Sequence, residues 1–137
     1  MPSKRWSGKS IEVRIRDVLV SIGRIQEFIA GLDQDAFLGD QKTQSAVERE
    51  LLTISEACSK IGELEASQKI PLKERLATRF PEIPWSAVRG IGNILRHDYG
   101  RVDPKVTWDT VSSDDLRRLD STLTAAFPEL KDLSSSG

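Results

Sequence analysis

The sequence predicts an all-α protein, an antiparallel helical bundle with two long helices and three or four shorter ones. Two segments repeat apolar residues at alternating spacings of three and four, which is the period of a helix with one buried face. No segment alternates apolar and polar residues over the length of a strand. A chain of 137 residues is the usual size of one domain, so we expect a single domain over residues 1–137. We expect its ends, residues 1–9 and 131–137, to be flexible.

The two long helices carry matching apolar stripes. The first helix is expected to end at Gly31 to Asp33, and its stripe consists of Ile11, Ile15, Val18, Ile22, Ile25 and Ile29. The second is expected to begin at Gly39-Asp40, and its stripe consists of Val47, Leu51, Ile54, Cys58 and Ile61. Two such stripes predict that the helices pack against each other in antiparallel directions.

Prolines and glycines divide the next part of the chain. Pro71 is expected to start a short helix that runs to about Arg79. Pro84 is well placed in the first turn of the following helix, and Gly100 is a suitable residue to end it. That helix carries Arg89, Asn93 and His97, which follow one another at intervals of four residues.

The C-terminal part of the chain predicts two more helical segments. Asp103-Pro104 is expected to open a short helical turn. Ser112 and Asp115 have the spacing of a capping box, which predicts the start of the last helix. Pro128 is expected to end that helix.

Composition excludes several classes of protein. The formal net charge is −1, which argues against a protein that binds nucleic acid through bulk charge. No apolar run approaches the ~18 residues of a membrane helix, and the N-terminus lacks the apolar stretch of a signal peptide. We therefore expect a cytoplasmic protein that makes no contact with a membrane. Cys58 is the only cysteine, and its place on an apolar stripe predicts a core residue.

Metal and cofactor sites find no support in the sequence. One histidine and one cysteine cannot supply the three or four ligands of a zinc site. Asp114-Asp115 is explained by the preference for carboxylates in the first turn of a helix. Gly90-Ile91-Gly92 is not preceded by a strand and lacks the third glycine of a dinucleotide-binding loop. We expect neither a metal nor an organic cofactor.

One segment concentrates groups that can transfer protons or bind phosphate. It runs from Arg89 to Tyr99 and contains the only histidine, His97. Between residues 85 and 105 there are four arginine or lysine residues and two aspartates, so the stretch is mildly basic. A lone histidine often has only a structural role, but the polar residues around His97 make a catalytic role the stronger hypothesis.

These residues resemble the HepT-like branch of the HEPN superfamily. The resemblance is carried by Pro84-Trp85, by residues 91–99 (Ile-Gly-Asn-Ile-Leu-Arg-His-Asp-Tyr), and by Val102-Asp103 with Val106 and Trp108. It extends more weakly to Ala46-Val47-Glu48-Arg49 and Glu56-Ala57 on the second long helix. The resemblance implies a small helical bundle that forms a homodimer and acts as a toxin ribonuclease, encoded beside a minimal nucleotidyltransferase antitoxin.

The resemblance also implies roles for individual residues. The family's site is an arginine, four to six residues, a histidine, one residue and a tyrosine, and His97 and Tyr99 match it. His97 would act as acid or base while an RNA 2'-hydroxyl attacks the adjacent phosphate, without a metal. Tyr99 would accept AMP from the antitoxin (AMPylation). Glu56 and Asp98 would support the site without contacting the substrate.

Such a cleavage requires one group that takes a proton and another that gives one. A monomer of this chain has a single histidine. A two-fold dimer that brings two copies of this helix together would supply the pair and join two mildly basic surfaces. Dimerisation is therefore expected to be part of the mechanism.

The sequence departs from the family at the motif arginine, because Gly92 stands five residues before His97. Arginine in such a site would hold the phosphate through two hydrogen bonds and stabilise developing charge. At about 100° per residue, Arg89 and Arg96 lie about 80° and 100° from His97 and are the candidates to replace it. A solvated helix face is the alternative role for both. Asn93 lies one turn before His97 and is expected to orient the imidazole or contact phosphate.

Two functions therefore stay open. The first is a metal-independent endoribonuclease toxin that cleaves an RNA substrate at a dimer-interface site. The second is a catalytically impaired member of the family, in which Gly92 has removed the arginine. Such a protein would act as a dimeric binding module for a nucleotidyltransferase antitoxin.

Overall fold

The computed structural model describes residues 2–97 and 102–130, and only the backbone of residues 2–9, Ile94, Arg96 and His97. All of its regular structure in these ranges is helical, which confirms the predicted all-α class. The helices are α1 (Pro2–Ile29), α2 (Gln34–Leu38), α3 (Gln41–Ser67), α4 (Leu76–Arg79), α5 (Trp85–His97), α6 (Pro104–Ser112) and α7 (Asp114–Ala126). Two 3-10 turns cover Leu72–Glu74 and Pro128–Leu130. No helix within the described ranges combines the length and the apolar character needed to cross a bilayer.

Helices α1 and α3 form the central layer, as the two stripes predicted. The two helices contact each other along much of their length. Helix α1 is about 40 Å long, and the connection from its end to the start of α3 is too short to lead the chain back to the beginning of α1. The two helices are therefore antiparallel. The side chains of the α1 stripe from Ile15 to Ile25 are fully buried against those of Val47 and Ile54. An ion pair between Arg24 and Glu50, at 3.8 Å, joins the two helices beside this core.

The N-terminal half contains one helix, α2, that the sequence does not predict. Helix α1 begins at Pro2 and includes residues 2–9, and the flexibility expected for this end stays a prediction. Proline is tolerated in the first turn of a helix, and no later residue of that segment breaks the helix. Helix α2 was not predicted. Asp33 caps it by accepting a hydrogen bond from the N–H of Ala36, and its buried Phe37 lies 5.3 Å from Trp108 between ring centroids.

The C-terminal half contains a correction to the predicted helix cap. Ser113, and not Ser112, precedes α7 and accepts a hydrogen bond from the N–H of Asp115 at 3.3 Å. Ser112 still belongs to α6, where its hydroxyl donates to the carbonyl oxygen of Trp108. The expected helix end at Gly100 and the expected flexible end 131–137 lie outside the described residues.

Helix α5 runs back along α3 and carries the candidate site. At the end of α3, the buried carboxylate of Glu65 accepts a hydrogen bond from the N–H of Leu76 at 2.9 Å and so ties α4 to α3. Helix α5 starts a few residues later, beside that end of α3, and Ser55 near the middle of α3 reaches Arg89 and Gly92 on it. The two helices are therefore antiparallel, and position 97 lies toward the beginning of α3.

Candidate active site on helix α5

One side of α5 is fixed to the rest of the molecule. The indole N–H of Trp85 donates to the carbonyl oxygen of Phe80 at 2.9 Å, and Trp85 and Val88 are buried. On the opposite side, Ser86, Ala87 and Asn93 are exposed. At about 100° per residue, position 97 shares this exposed side with Ser86 and Asn93. Helix α5 therefore presents a solvent-facing surface at Ser86, Ala87 and Asn93, and position 97 follows Asn93 one turn later along the helix.

Ser55 of α3 bonds directly to the backbone of α5. Its hydroxyl donates to the carbonyl oxygen of Arg89 at 2.7 Å and accepts from the N–H of Gly92 at 2.8 Å. Ser55 is 1% exposed, and its bond with the N–H of Gly92 is buried, so that bond is shielded from water. These bonds fix the position of α5 along the length of α3, and so determine which part of α3 position 97 lies beside.

The two glycines of α5 face different surroundings. Gly92, where the resemblance expects an arginine, is buried at the contact with α3. Gly90 is half-exposed, and a Cβ atom at that position would meet nothing within 4 Å. In this protein, position 92 is a helix-packing position, whereas position 90 opens to the same side as position 97.

The side chain of Arg89 lies against α3. A Cβ atom at Gly62 would approach Nη2 of Arg89 to 3.2 Å, so the guanidinium fills the space that this glycine leaves. Nε of Arg89 is buried and has no hydrogen-bond partner within the described part of the chain. Arg89 also lines a cleft of about 590 Å³ together with Ser59, Arg75 and Thr78.

The structure does not bring the guanidinium of Arg89 close to position 97 of the same chain. The two positions are eight residues apart along the chain, which corresponds to about 12 Å along the axis of α5. Gly62 lies seven residues beyond Ser55 on the antiparallel α3, so the guanidinium extends further from position 97. The catalytic assignments of Arg89 and Arg96 stay predictions.

The other predicted site residues are located as follows. Asn93 and Glu56 are both exposed, on α5 and α3 respectively. Arg96 and His97 belong to α5 through their backbone, while Asp98 and Tyr99 lie outside the described residues. The roles assigned to these residues stay predictions.

Cys58 lies in the core next to Arg89, as expected from its stripe. The thiol is 1% exposed, and burial raises its pKa to about 12 although the Arg89 guanidinium acts in the opposite direction. A thiol with this pKa is almost entirely protonated at neutral pH, so it has no nucleophilic role here.

Sequence reasoning missed three residues around α5, namely Ser55, Gly62 and Arg75. Gly62 could have been noticed in the sequence, because a glycine inside a long helix destabilises it by about 1 kcal/mol. A glycine at such a position often indicates a close contact with another part of the protein. Ser55 and Arg75 could not have been noticed, because only the packed structure reveals what they contact. Among the side chains that the structure describes (residues 10–93, 95 and 102–130), no three cysteine or carboxylate groups lie together so that they could hold a metal ion.

Comparison with known proteins places this chain in a family. A ribonuclease HepT-like family model matches residues 18–132. A protein of Thermococcus cleftensis named as a probable ribonuclease HepT is 36% identical over 73% of this chain and 81% of its own length. Two proteins of Methanocaldococcus jannaschii whose names mark them as candidate RNases are 29% and 28% identical, over 75% and 79% of this chain and 76% and 89% of their own lengths. No solved structure matches the chain. The chain belongs to the HepT-like ribonuclease family.

Proposed function

We propose that this protein is an endoribonuclease of the HEPN type that cleaves RNA through attack of a 2'-hydroxyl on the adjacent phosphate. The observation that carries the proposal is the match to the HepT-like ribonuclease model over residues 18–132, a range that includes position 97. His97 takes a proton from the 2'-hydroxyl or gives one to the leaving oxygen. An imidazole suits both steps because its ordinary pKa is near neutrality.

A homodimer supplies the second proton-transfer group. The exposed side of α5 carries the small residues Ser86, Ala87 and Gly90 next to Asn93. Small side chains permit close approach of a second helix, and a two-fold axis at this face brings two copies of His97 toward one cleft. One histidine then acts as the base and its partner's copy as the acid.

Charge on the scissile phosphate is stabilised by an arginine near His97. Arg96 is adjacent to His97 in sequence and about 40° from Gly92 around the helix, toward the α3 side. A guanidinium there donates two hydrogen bonds to a phosphate as negative charge increases. Asn93, one turn before His97, orients the imidazole or binds the same phosphate.

Regulation follows from the family resemblance. A minimal nucleotidyltransferase acts as antitoxin in the cytoplasm and transfers AMP to Tyr99. The added nucleotide blocks the RNA cleft by its size and by repulsion of phosphate. A nucleotidyltransferase gene next to the gene for this protein would support this pairing.

The test is RNA cleavage by purified protein in the presence of a chelator. We expect wild-type protein to cleave and His97→Ala to lose activity, with a 2',3'-cyclic phosphate on the product. Gln34→Ala, on helix α2 and outside α5, serves as the matched polar variant and is expected to cleave like wild type. Equal rates for wild type and His97→Ala contradict the proposal.

A second function is favoured by Gly92. Without the motif arginine, the chain would be a dimeric binding module that keeps a docking surface for the nucleotidyltransferase and has lost cleavage. Gly92→Arg discriminates between the two functions, provided that the variant is shown to be folded. A large gain of cleavage over wild type supports the impaired module, whereas little change in an active wild type shows that another arginine already serves.

A further inference from the structure

We infer that the cleft between α3, α4 and α5 binds an RNA phosphate away from the scissile bond, with Arg89 and Arg75 as its ligands. The inference rests on the proposed function, because it takes RNA as the substrate. It assigns Arg89 to substrate binding rather than to the chemical step.

The cleft offers donors that suit a phosphate group. Its volume is about 590 Å³, and Arg75, Arg89, Ser59 and Thr78 line it. A guanidinium matches two phosphate oxygens with two parallel N–H groups, and hydroxyls donate to a third oxygen. Nε of Arg75 donates to the carbonyl oxygen of Ile70 at 2.8 Å, which holds that side chain in place.

Gly62 shapes the cleft around Arg89. A glycine inside a helix destabilises it, yet α3 has one where any side chain would crowd the guanidinium, with a Cβ only 3.2 Å from Nη2. Nε of Arg89 is buried without a hydrogen-bond partner among the described residues. The guanidinium is thus held at the wall of an open cleft rather than spread over the surface.

Two carboxylates also line the cleft, and neither neutralises the arginines through a direct ion pair. Glu65 is 6% exposed and its carboxylate accepts the N–H of Leu76. Glu63 is exposed to water. Between residues of the described ranges, no ion pair includes Arg75 or Arg89. Both guanidiniums therefore keep N–H groups for an anion.

The cleft and position 97 lie on the same side of the contact between α3 and α5. Counted around α5 from Gly92, which faces α3, Arg89 lies at about 60°, Asn93 at about 100° and position 97 at about 140°, all in one direction. A strand that runs along the Asn93 edge of this side, between α3 and the second helix of the proposed dimer, can therefore pass from position 97 to the cleft. Because the Arg89 guanidinium lies more than about 12 Å along the axis, it contacts a different phosphate from the one that is cleaved.

The test compares wild type with Arg89→Gln on two RNA substrates, a dinucleotide and a strand of about ten nucleotides. We expect Arg89→Gln to raise KM on the longer strand by roughly tenfold, since it loses a charge-assisted contact, and to leave kcat unchanged. On the dinucleotide, which cannot reach the cleft, the two proteins are expected to be equal. Arg75→Gln is expected to behave like Arg89→Gln, and Arg117→Gln, a surface arginine on α7, like wild type.

A binding experiment separates this inference from the proposed function. The affinity for a non-cleavable 2'-deoxy strand of the same length is measured by fluorescence anisotropy. Loss of one phosphate contact is expected to reduce the slope of log affinity against log salt by about 0.7. If no RNA is cleaved but Arg89→Gln still weakens binding in this way, the proposed function fails and the phosphate site stands. If kcat falls equally on both substrates, or if neither KM nor binding changes, the inference is wrong.

Discussion

The hydroxyl of Ser55 accepts a hydrogen bond from the backbone N–H of Gly92 at 2.8 Å and thereby links α3 to the middle of α5. The same hydroxyl donates to the carbonyl oxygen of Arg89, one turn earlier. A bulky side chain at position 92 would compete for the space that this contact occupies. Gly92 thus has a packing role here, besides standing where the family motif has an arginine.

Ser55→Ala is expected to destabilise the fold. The substitution removes both hydrogen bonds at a site that is 1% exposed, and a lost buried partner costs about 1–3 kcal/mol. The measurement is the free energy of unfolding in urea. Ser45→Ala, at an exposed position of the same helix, serves as control and is expected to change stability by less than about 0.5 kcal/mol. Equal stability of the two variants would show that the bridge contributes little.

An arginine is expected to be tolerated at position 90 and not at position 92. Gly92 is buried against α3, and forcing a large side chain into such a contact costs about 1–3 kcal/mol. At Gly90 a Cβ meets no atom of its own chain within 4 Å, so Gly90→Arg is expected to keep the unfolding free energy of the monomer within about 0.5 kcal/mol, while it would crowd the second helix of the proposed dimer. Urea unfolding of the two variants checks this. A Gly92→Arg protein as stable as Gly90→Arg would mean that α3 and α5 adjust freely.

Cys58 is expected to resist thiol reagents in the folded protein. Burial raises the pKa of its thiol to about 12, and the reactive species is the thiolate. Labelling with Ellman's reagent in mildly alkaline buffer should therefore be slow in the native state and become fast in denaturant, when the chain unfolds. Rapid labelling of the native protein would show that this part of α3 opens to solvent.

Asp120→Asn is expected to stabilise the protein at neutral pH and to have no such effect in acid. Burial on α7 raises the pKa of the Asp120 carboxyl above its ordinary value of 3.8. A raised carboxyl pKa favours the folded state while the group is protonated, and this contribution disappears as pH rises through the folded-state pKa. The difference in unfolding free energy between variant and wild type should therefore grow from about pH 3 to about pH 7. A difference that does not depend on pH would contradict this.

The long elements of the fold could be predicted because their signal is repeated many times. The stripes from Ile11 to Ile29 and from Val47 to Ile61 fix two helices and the face that each buries. Helix α2 was missed because five residues are too few to show a period, and its cap, Asp33, was interpreted as the end of α1. Ser112 and Ser113 are adjacent, so the sequence could not show which of them caps α7.

The candidate site could be predicted in part. The segment from Arg89 to Tyr99 stood out because the only histidine lies among polar residues at helical spacing. The direction of the Arg89 side chain could not be predicted, because it depends on Gly62, a residue of another helix. The angles around α5 alone place Arg89 near His97, while the tertiary packing directs its guanidinium toward the cleft.

The single-turnover rate of RNA cleavage, measured in chelator for wild type and His97→Ala, tests the central claim most directly. Loss of a general acid or base is expected to lower this rate by about 100-fold to 10,000-fold. The variant should keep the wild-type unfolding free energy, so that the loss reports on chemistry. Cleavage by His97→Ala at the wild-type rate, or cleavage of an all-deoxy strand as fast as RNA, would contradict the assignment of this protein as a HEPN-type endoribonuclease.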